Sequence, residues 1–246
     1  MEIIQITDLH ITCDKDFEKN NCQPYHKLKK TLDVISSNHR NDLNLVITGD
    51  LSDDDSSESY NHIKSLLKTY SFNVILLPGN HDNPKFMRLM CDNQISFDIP
   101  ALLDKSYVFF NFNTQVDGEV GGCIKKSQID DFRSKLNDQV KNIILFTHHP
   151  ITKIDSKWID KHVANNSNLL IDLMHSYSDL QFNVFSGHVH QEFFKVMKNI
   201  KLFTTPSTCY QFKPYSDEYS IDDKLSNGYR VINLYNNTVS THVVRL

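Results

Sequence analysis

The sequence predicts a layered α/β fold, on three observations. Five short apolar runs, at residues 2–7, 43–48, 73–77, 142–147 and 181–186, carry Ile, Leu, Val or Phe on successive positions, the pattern of strands buried on both faces. Segments with helical spacing separate most of these runs, which predicts helices layered against a sheet. A second group of β-rich runs lies at 107–112, 193–196, 200–204, 229–235 and 239–244. Within it, the pairs Lys198-Asn199 and Asn236-Asn237 suit hairpin turns and predict an antiparallel C-terminal third.

The helices are predicted at 25–37, 57–69, 84–91, 127–136 and 168–175, with Ser56 and Ser127 as N-caps. No internal repeat, low-complexity segment or linker interrupts the chain, and seven glycines are too few for one, so residues 1–246 are expected to form a single domain. The run Asp53-Asp54-Asp55 reads as a solvated loop leading into a helix, where negative charge faces a helix N-terminus.

Composition narrows the function classes. The chain is 39% hydrophobic and 23% charged, ordinary for a globular protein with a sizeable core. Its net charge of -4, from 26 basic and 30 acidic residues, supplies no long-range attraction for nucleic acid or an anionic membrane. An anionic substrate would have to be held by local charge. Five cysteines, widely spaced and without a Cys-x-x-Cys pair, argue against a disulfide framework or a thiolate zinc site. The opening segment is too short and too acidic for a signal peptide, and no run approaches the length of a membrane span, so a cytoplasmic location is expected.

Twelve histidines are an excess, and their positions give it meaning. The five buried runs are followed by Asp8-Leu9-His10, Gly49-Asp50, Gly79-Asn80-His81-Asp82, His148-His149-Pro150 and Gly187-His188-Val189-His190. Each alone is weak, since an isolated Asp-x-His or His is common. All five sit at the carboxyl ends of strands, the edge of an open α/β sheet where ligands bind, so the loops can converge on one metal centre.

In this order the blocks resemble the calcineurin-like metallophosphoesterase family, whose pattern is Asp-x-His, Gly-Asp, Gly-Asn-His-Asp/Glu, His and Gly-His-x-His. The resemblance implies a four-layer α/β/β/α sandwich with two mixed β-sheets flanked by helices. It implies two divalent metal ions, with Asp8, His10 and His190 on one, Asn80, His148 and His188 on the other, and Asp50 bridging both. His149 would replace His148 if its strand ended one residue later; the family pattern His-x-Pro selects His148. Two divalent ions less the charges of Asp8 and Asp50 leave a surplus that a bridging hydroxide and a phosphodiester anion would neutralise. Mixed nitrogen and oxygen donors suit Fe, Mn or Zn. His81 is implied to be the acid that protonates the leaving oxygen, with Asp82 orienting its imidazole.

Within the family the chain is most similar to bacterial cyclic-AMP phosphodiesterases. The similarity is carried by Gln5-Ile6-Thr7-Asp8-Leu9-His10, Leu77-Pro78-Gly79-Asn80-His81-Asp82, Trp158-Ile159-Asp160, Gly187-His188-Val189-His190-Gln191-Glu192, the run from Thr205 to Pro214, and Gly228-Tyr229-Arg230. It implies hydrolysis of 3′,5′-cyclic AMP to 5′-AMP by a metal-bridging hydroxide, with His10, Asn80, His81 and His190 contacting the substrate. The expected partner is thus a cyclic nucleotide, with neither nucleic acid nor membrane, and a homodimer is compatible with the sequence. The segment from Thr205 to Phe212 would either read a purine through Tyr210, Gln211 and Phe212 or form a structural turn, and Trp158 would wall the pocket or anchor a loop. A glycerophosphodiester or broad-specificity phosphodiesterase would use the same ligands. A partner-binding scaffold without catalysis would be expected to have lost some of them.

Overall fold

A computed structural model describes residues 1–40, 42–97, 107–136 and 140–246. The elements alternate as expected: β1 (Glu2–Ile6), α1 (Pro24–Asn38), β2 (Asn44–Thr48), α2 (Ser57–Leu67), β3 (Asn73–Leu77), α3 (Pro84–Met90), β4 (Ile95–Ser96), β5 (Tyr107–Phe112), α4 (Lys126–Lys135), β6 (Asn142–Thr147), a 3-10 turn (Ile159–His162), α5 (Ser167–His175), β7 (Gln181–Ser186), β8 (Phe193–Met197), β9 (Ile200–Thr204), β10 (Gly228–Tyr235) and β11 (Thr238–Arg245).

Two mixed sheets form, ordered β11-β10-β1-β2-β3-β4 and β5-β6-β7-β9-β8. The unbroken apolar runs follow from what each strand faces. On β2, Leu45 and Ile47 pack with helical residues such as Leu32 and Ile63, while Val46 points the other way, into a cluster shared with the second sheet. On β6, Ile144 and Phe146 complete that shared cluster while Ile143 and Leu145 pack with Phe132 and Leu170 of the second helical layer. Alternate residues therefore enter two different apolar layers, and the chain is a four-layer α/β/β/α sandwich.

Two expectations are corrected. α4 begins at Lys126 after an N-cap at Lys125, so Ser127 lies inside the helix; the Gln128 side chain accepts the Lys125 N–H at 3.3 Å. Ser56, by contrast, caps α2 as predicted, accepting from Ser59 N–H at 3.1 Å. The C-terminal third is not wholly antiparallel: β8 and β9 form the expected hairpin, but β9 inserts between β8 and β7 and runs parallel to β7. The hairpin turn fixes only the relative direction of its own two strands. The short strand β4 escapes detection because two residues carry no periodicity. Among the described residues, no helix is long and apolar enough to cross a membrane.

Candidate metal centre

The loops after β1, β2, β3, β6 and β7 meet at one edge of the two sheets. Gln5 helps hold this edge together between the layers: its amide donates to the Thr48 hydroxyl at 2.9 Å and to the Ser186 carbonyl at 3.4 Å, and its oxygen accepts from the Thr205 hydroxyl at 2.6 Å. The first two loops are laced by backbone bonds from Asp8 to Gly49, from Leu9 and His10 to Asp50, and from Ile11 to Leu51. The same lacing holds an unusual backbone. Asp8, His10, Asp50, His188 and His190 all have positive φ, between 45° and 66°. For non-glycine residues the left-handed region costs about 1–2 kcal/mol each, so five of the seven expected ligands sit on strained backbone.

Two glycines permit the approach. Gly49 has φ +97°, and a Cβ there would run into the His148 ring; a Cβ on Gly187 would collide with the Thr7 hydroxyl. Gly49→Ala is expected to lower stability by about 2–4 kcal/mol, since it combines a disfavoured φ with a collision on a buried ligand. A denaturant midpoint that falls at constant slope checks this; an unchanged midpoint would contradict it.

All seven expected ligands converge. Asp50 presents Oδ1 3.4 Å from His148 Nε2 and Oδ2 3.9 Å from His10 Nε2, one oxygen toward each half of the site. Asp8 Oδ1 lies 3.4 Å from His190 Nε2. Asn80 Oδ1 lies 3.1 Å from His148 Nε2 and 3.0 Å from His188 Nδ1.

The far side of each ring decides what the near side can do. His148 Nδ1 donates to the Thr48 carbonyl at 2.7 Å, His190 Nδ1 to the Tyr210 carbonyl at 2.9 Å, and His10 Nδ1 faces the Asp53 carboxylate at 2.9 Å. With protons fixed on Nδ1, the Nε2 atoms of His10 and His190 carry lone pairs. His10 Nε2 and His190 Nε2 then face each other at 3.1 Å as two acceptors. Together with Asp8, Asp50 and Asn80 Oδ1 they enclose a cavity of acceptors that calls for cations, and the residues fit a dimetal centre.

Electrostatics agree. Burial works against ionisation of Asp50, yet the neighbouring His148, His10 and His81 hold its carboxyl well below the usual range. Burial would lower His148, but the carboxylates of Asp50 and Asp8 push it up to about 9. The cavity thus attracts positive charge strongly. His188, lowered by burial and by His149 and His148, stays a neutral imidazole.

His149 lies beside His148 and His188 but turns both ring nitrogens to other partners. Its Nδ1 meets the Thr114 hydroxyl at 2.8 Å and its Nε2 the Val120 carbonyl at 3.0 Å, so both ring nitrogens are occupied. Burial and the neighbouring His148 lower it to about 3.

His81 stands apart. Its side chain is 41% exposed, whereas His10, His190 and His148 are at most 3% exposed. Its N–H donates to Asp50 Oδ1 at 3.0 Å and its ring meets His10 edge-on, with centroids 5.2 Å apart. The expected contact with Asp82 does not form. Asp82 accepts from the Leu51, Ser52 and Gly79 amides and from the Tyr60 hydroxyl, so it ties the Asp50 loop to the Asn80 loop instead. Burial and the adjacent Asp50 push its carboxyl up to about 7 against the pull of those amides.

The carboxylate nearest the His81 ring is Asp53, with Oδ1 4.0 Å from Nδ1. Asp53 was expected to be solvated; its side chain is only 11% exposed and holds His10. A carboxylate three positions beyond Asp50 was visible in the sequence, but nothing local marks which of three consecutive aspartates turns inward.

The segment from Thr205 to Phe212 is buried throughout, as its reading as a structural turn predicts. Its groups are committed inward: Ser207 Oγ donates to the Asp8 carbonyl at 2.8 Å and Gln211 Nε2 to the Ser207 carbonyl at 2.9 Å. The Tyr210 ring stacks on His10, and Phe212 stacks on His190 with centroids 4.2 Å apart. The segment is a wall behind two ligands. Trp158 packs edge-on against Phe212 at 4.8 Å and so extends that wall.

The sequence model of the calcineurin-like phosphoesterase family matches residues 1–192. The chain is 31% identical over 251 residues to a 3′,5′-cyclic-nucleotide phosphodiesterase of Nostoc sp. (strain PCC 7120 / SAG 25.82 / UTEX 2576), covering 100% of this chain and 92% of the relative. It is 28% identical over 251 residues to a 3′,5′-cyclic adenosine monophosphate phosphodiesterase of Escherichia coli (strain K12), covering 100% of this chain and 90% of the relative. Among solved structures, a dimetal phosphatase from Danio rerio superposes with a TM-score of 0.68 at 12% identity, covering 99% of this chain and 98% of the other, which is a likeness of fold.

Proposed function

The chain belongs to the calcineurin-like phosphoesterase family, and from that premise we propose that it is a phosphodiesterase that hydrolyses 3′,5′-cyclic AMP to 5′-AMP. The observation that carries the reading is the buried cavity of convergent acceptors with a solvent-facing imidazole, His81, at its mouth. The choice of a cyclic nucleotide is supported by the end-to-end similarity to relatives that carry that name.

When bound, two divalent ions of Fe, Mn or Zn would supply an activated water and positive charge for the phosphoryl oxygens. Asp8, His10 and His190 would hold one and Asn80, His148 and His188 the other, with Asp50 between them. The chain's own contribution is preorganisation. The carbonyls of Thr48 and Tyr210 and the Asp53 carboxylate fix the tautomer and orientation of His148, His190 and His10 before substrate arrives. Asp82 locks the relative position of the Asp50 and Asn80 loops. His10, Asn80, His81 and His190 line the face that the phosphodiester meets. His81, outside the ligand set and open to solvent, is placed to protonate the departing 3′ oxygen.

One observation favours a broader reading as the alternative. Because Tyr210, Gln211 and Phe212 are buried, they offer no selective reader for adenine, which would suit a phosphodiesterase of wider specificity. Protein stripped of metal and reconstituted singly with Mn, Fe(II) or Zn, then assayed on cyclic AMP, cyclic GMP and a chromogenic diester, separates the two. The proposal expects 5′-AMP from cyclic AMP, with heavy oxygen from solvent on phosphorus. Predominant 3′-AMP, or label on the sugar, would overturn it.

A further inference from the structure

Lys19 lies on the loop between β1 and α1, at the corner of a tight turn. Its central residues Asn20 and Asn21 take positive φ, 52° and 57°. Lys19 and Cys22 exchange both backbone hydrogen bonds, at 2.9 and 3.0 Å, and Cys22 is buried. Asn20 Nδ2 also donates to the Tyr219 hydroxyl at 3.3 Å, which ties the turn to another loop. The backbone that carries Lys19 is therefore fixed.

From that base the side chain reaches Asp53. Its ammonium donates to both carboxylate oxygens, at 3.0 and 2.9 Å, and lies 5.9 Å from the centre of the Tyr210 ring. The contact is a salt bridge to a carboxylate whose side chain is only 11% exposed. An ammonium has three donors, and Asp53 takes two. The third has no acceptor among the described residues, and the side chain is 36% exposed.

The placement matters because the same Asp53 Oδ1 holds His10 and lies 4.0 Å from His81 Nδ1. Without Lys19, a bare carboxylate would stand beside His81 where an anionic substrate approaches. Among the described residues, no other Lys or Arg forms an ion pair with Asp8, Asp50, Asp53 or Asp82.

We propose that Lys19 is a substrate-binding residue: its salt bridge cancels the Asp53 charge at the mouth of the site, and its remaining N–H binds a non-bridging oxygen of the phosphodiester beside His81. This rests on the phosphodiesterase reading, and the test keeps the two separable. Lys19→Met removes the charge while keeping most of the stem, and Lys19→Arg restores a cation. Each metal-loaded variant is measured for kcat and KM on cyclic AMP at low and high salt, for affinity toward a slowly hydrolysed cyclic phosphorothioate by calorimetry, and for metal content and thermal midpoint.

The expected result for Lys19→Met is a rise of about tenfold in both KM and the phosphorothioate Kd, with kcat within about threefold. Metal content and midpoint should hold, the salt dependence of KM should flatten, and Lys19→Arg should recover most of the loss. Unchanged KM and Kd in Lys19→Met would overturn the inference. So would a loss confined to kcat, metal content or midpoint, which would make Lys19 a structural prop for Asp53. A wild type that turns over no phosphodiester would refute the functional reading, and the phosphorothioate affinities would still decide the role of Lys19.

Discussion

Replacing Asp50 with alanine is expected to remove activity and bound metal together. The two oxygens of Asp50 face the two halves of the cavity, 3.4 Å from His148 Nε2 and 3.9 Å from His10 Nε2. Without it, two divalent ions would sit close together with no negative charge between them. Losing an outer hydrogen-bond partner of a metal ligand already costs about 10- to 100-fold, and loss of the bridging carboxylate should exceed the upper figure. The backbone carbonyl of Asp50, which accepts from Leu9 and His10, is untouched by the substitution, so the lacing of the first two loops should survive. Elemental analysis after gel filtration decides the matter. Two tightly held ions in the variant would refute the bridging position, whatever the activity.

The second large effect is expected at His81, and it should have a different signature. Its ring is exposed and lies outside the ligand set, so His81→Ala should retain metal while kcat on cyclic AMP falls by about 10²- to 10⁴-fold, the usual range for a general acid. Substrates whose leaving group needs no proton separate this role from others. The variant should recover most of its rate on a nitrophenyl diester, whereas equal losses on activated and unactivated diesters would rule out proton donation. Asp53, the nearest carboxylate to the ring, should influence that reaction more directly than Asp82, whose oxygens are engaged by the amides of Leu51, Ser52 and Gly79 and by the Tyr60 hydroxyl.

Much of this site was legible before any coordinates. Strands β3, β5, β6, β7 and β9 occupy the residues that apolar patterning predicts, because a strand between two packed layers must be apolar at nearly every position. The ligand blocks follow strand ends for a related reason, since the carboxyl edge is where the chain turns into solvent and can present polar side chains. The helices also came close, within two residues at either end, because amphipathic spacing and caps such as Ser56 are local signals.

What the sequence could not decide were the partnerships. His10 takes its outer carboxylate from Asp53, 43 positions away, and His190 its outer carbonyl from Tyr210, 20 positions away. Asp82 is drawn to the amides of Leu51 and Ser52, not to the imidazole beside it in sequence. Adjacency along a chain says little about where two side chains point once a loop turns off its strand. The same holds for the Thr205 to Phe212 segment, whose hydroxyls, amide and rings suit a nucleotide base as well as a ligand wall until burial shows which they face. The sequence by itself determined most of the strands and the order in which the donor-bearing blocks follow them, because burial periodicity and donor chemistry are properties of residues. Only the tertiary structure decided which carboxylate serves which imidazole, where β9 inserts, and that Lys19 stands at the mouth, because those depend on packing that brings distant loops to one edge.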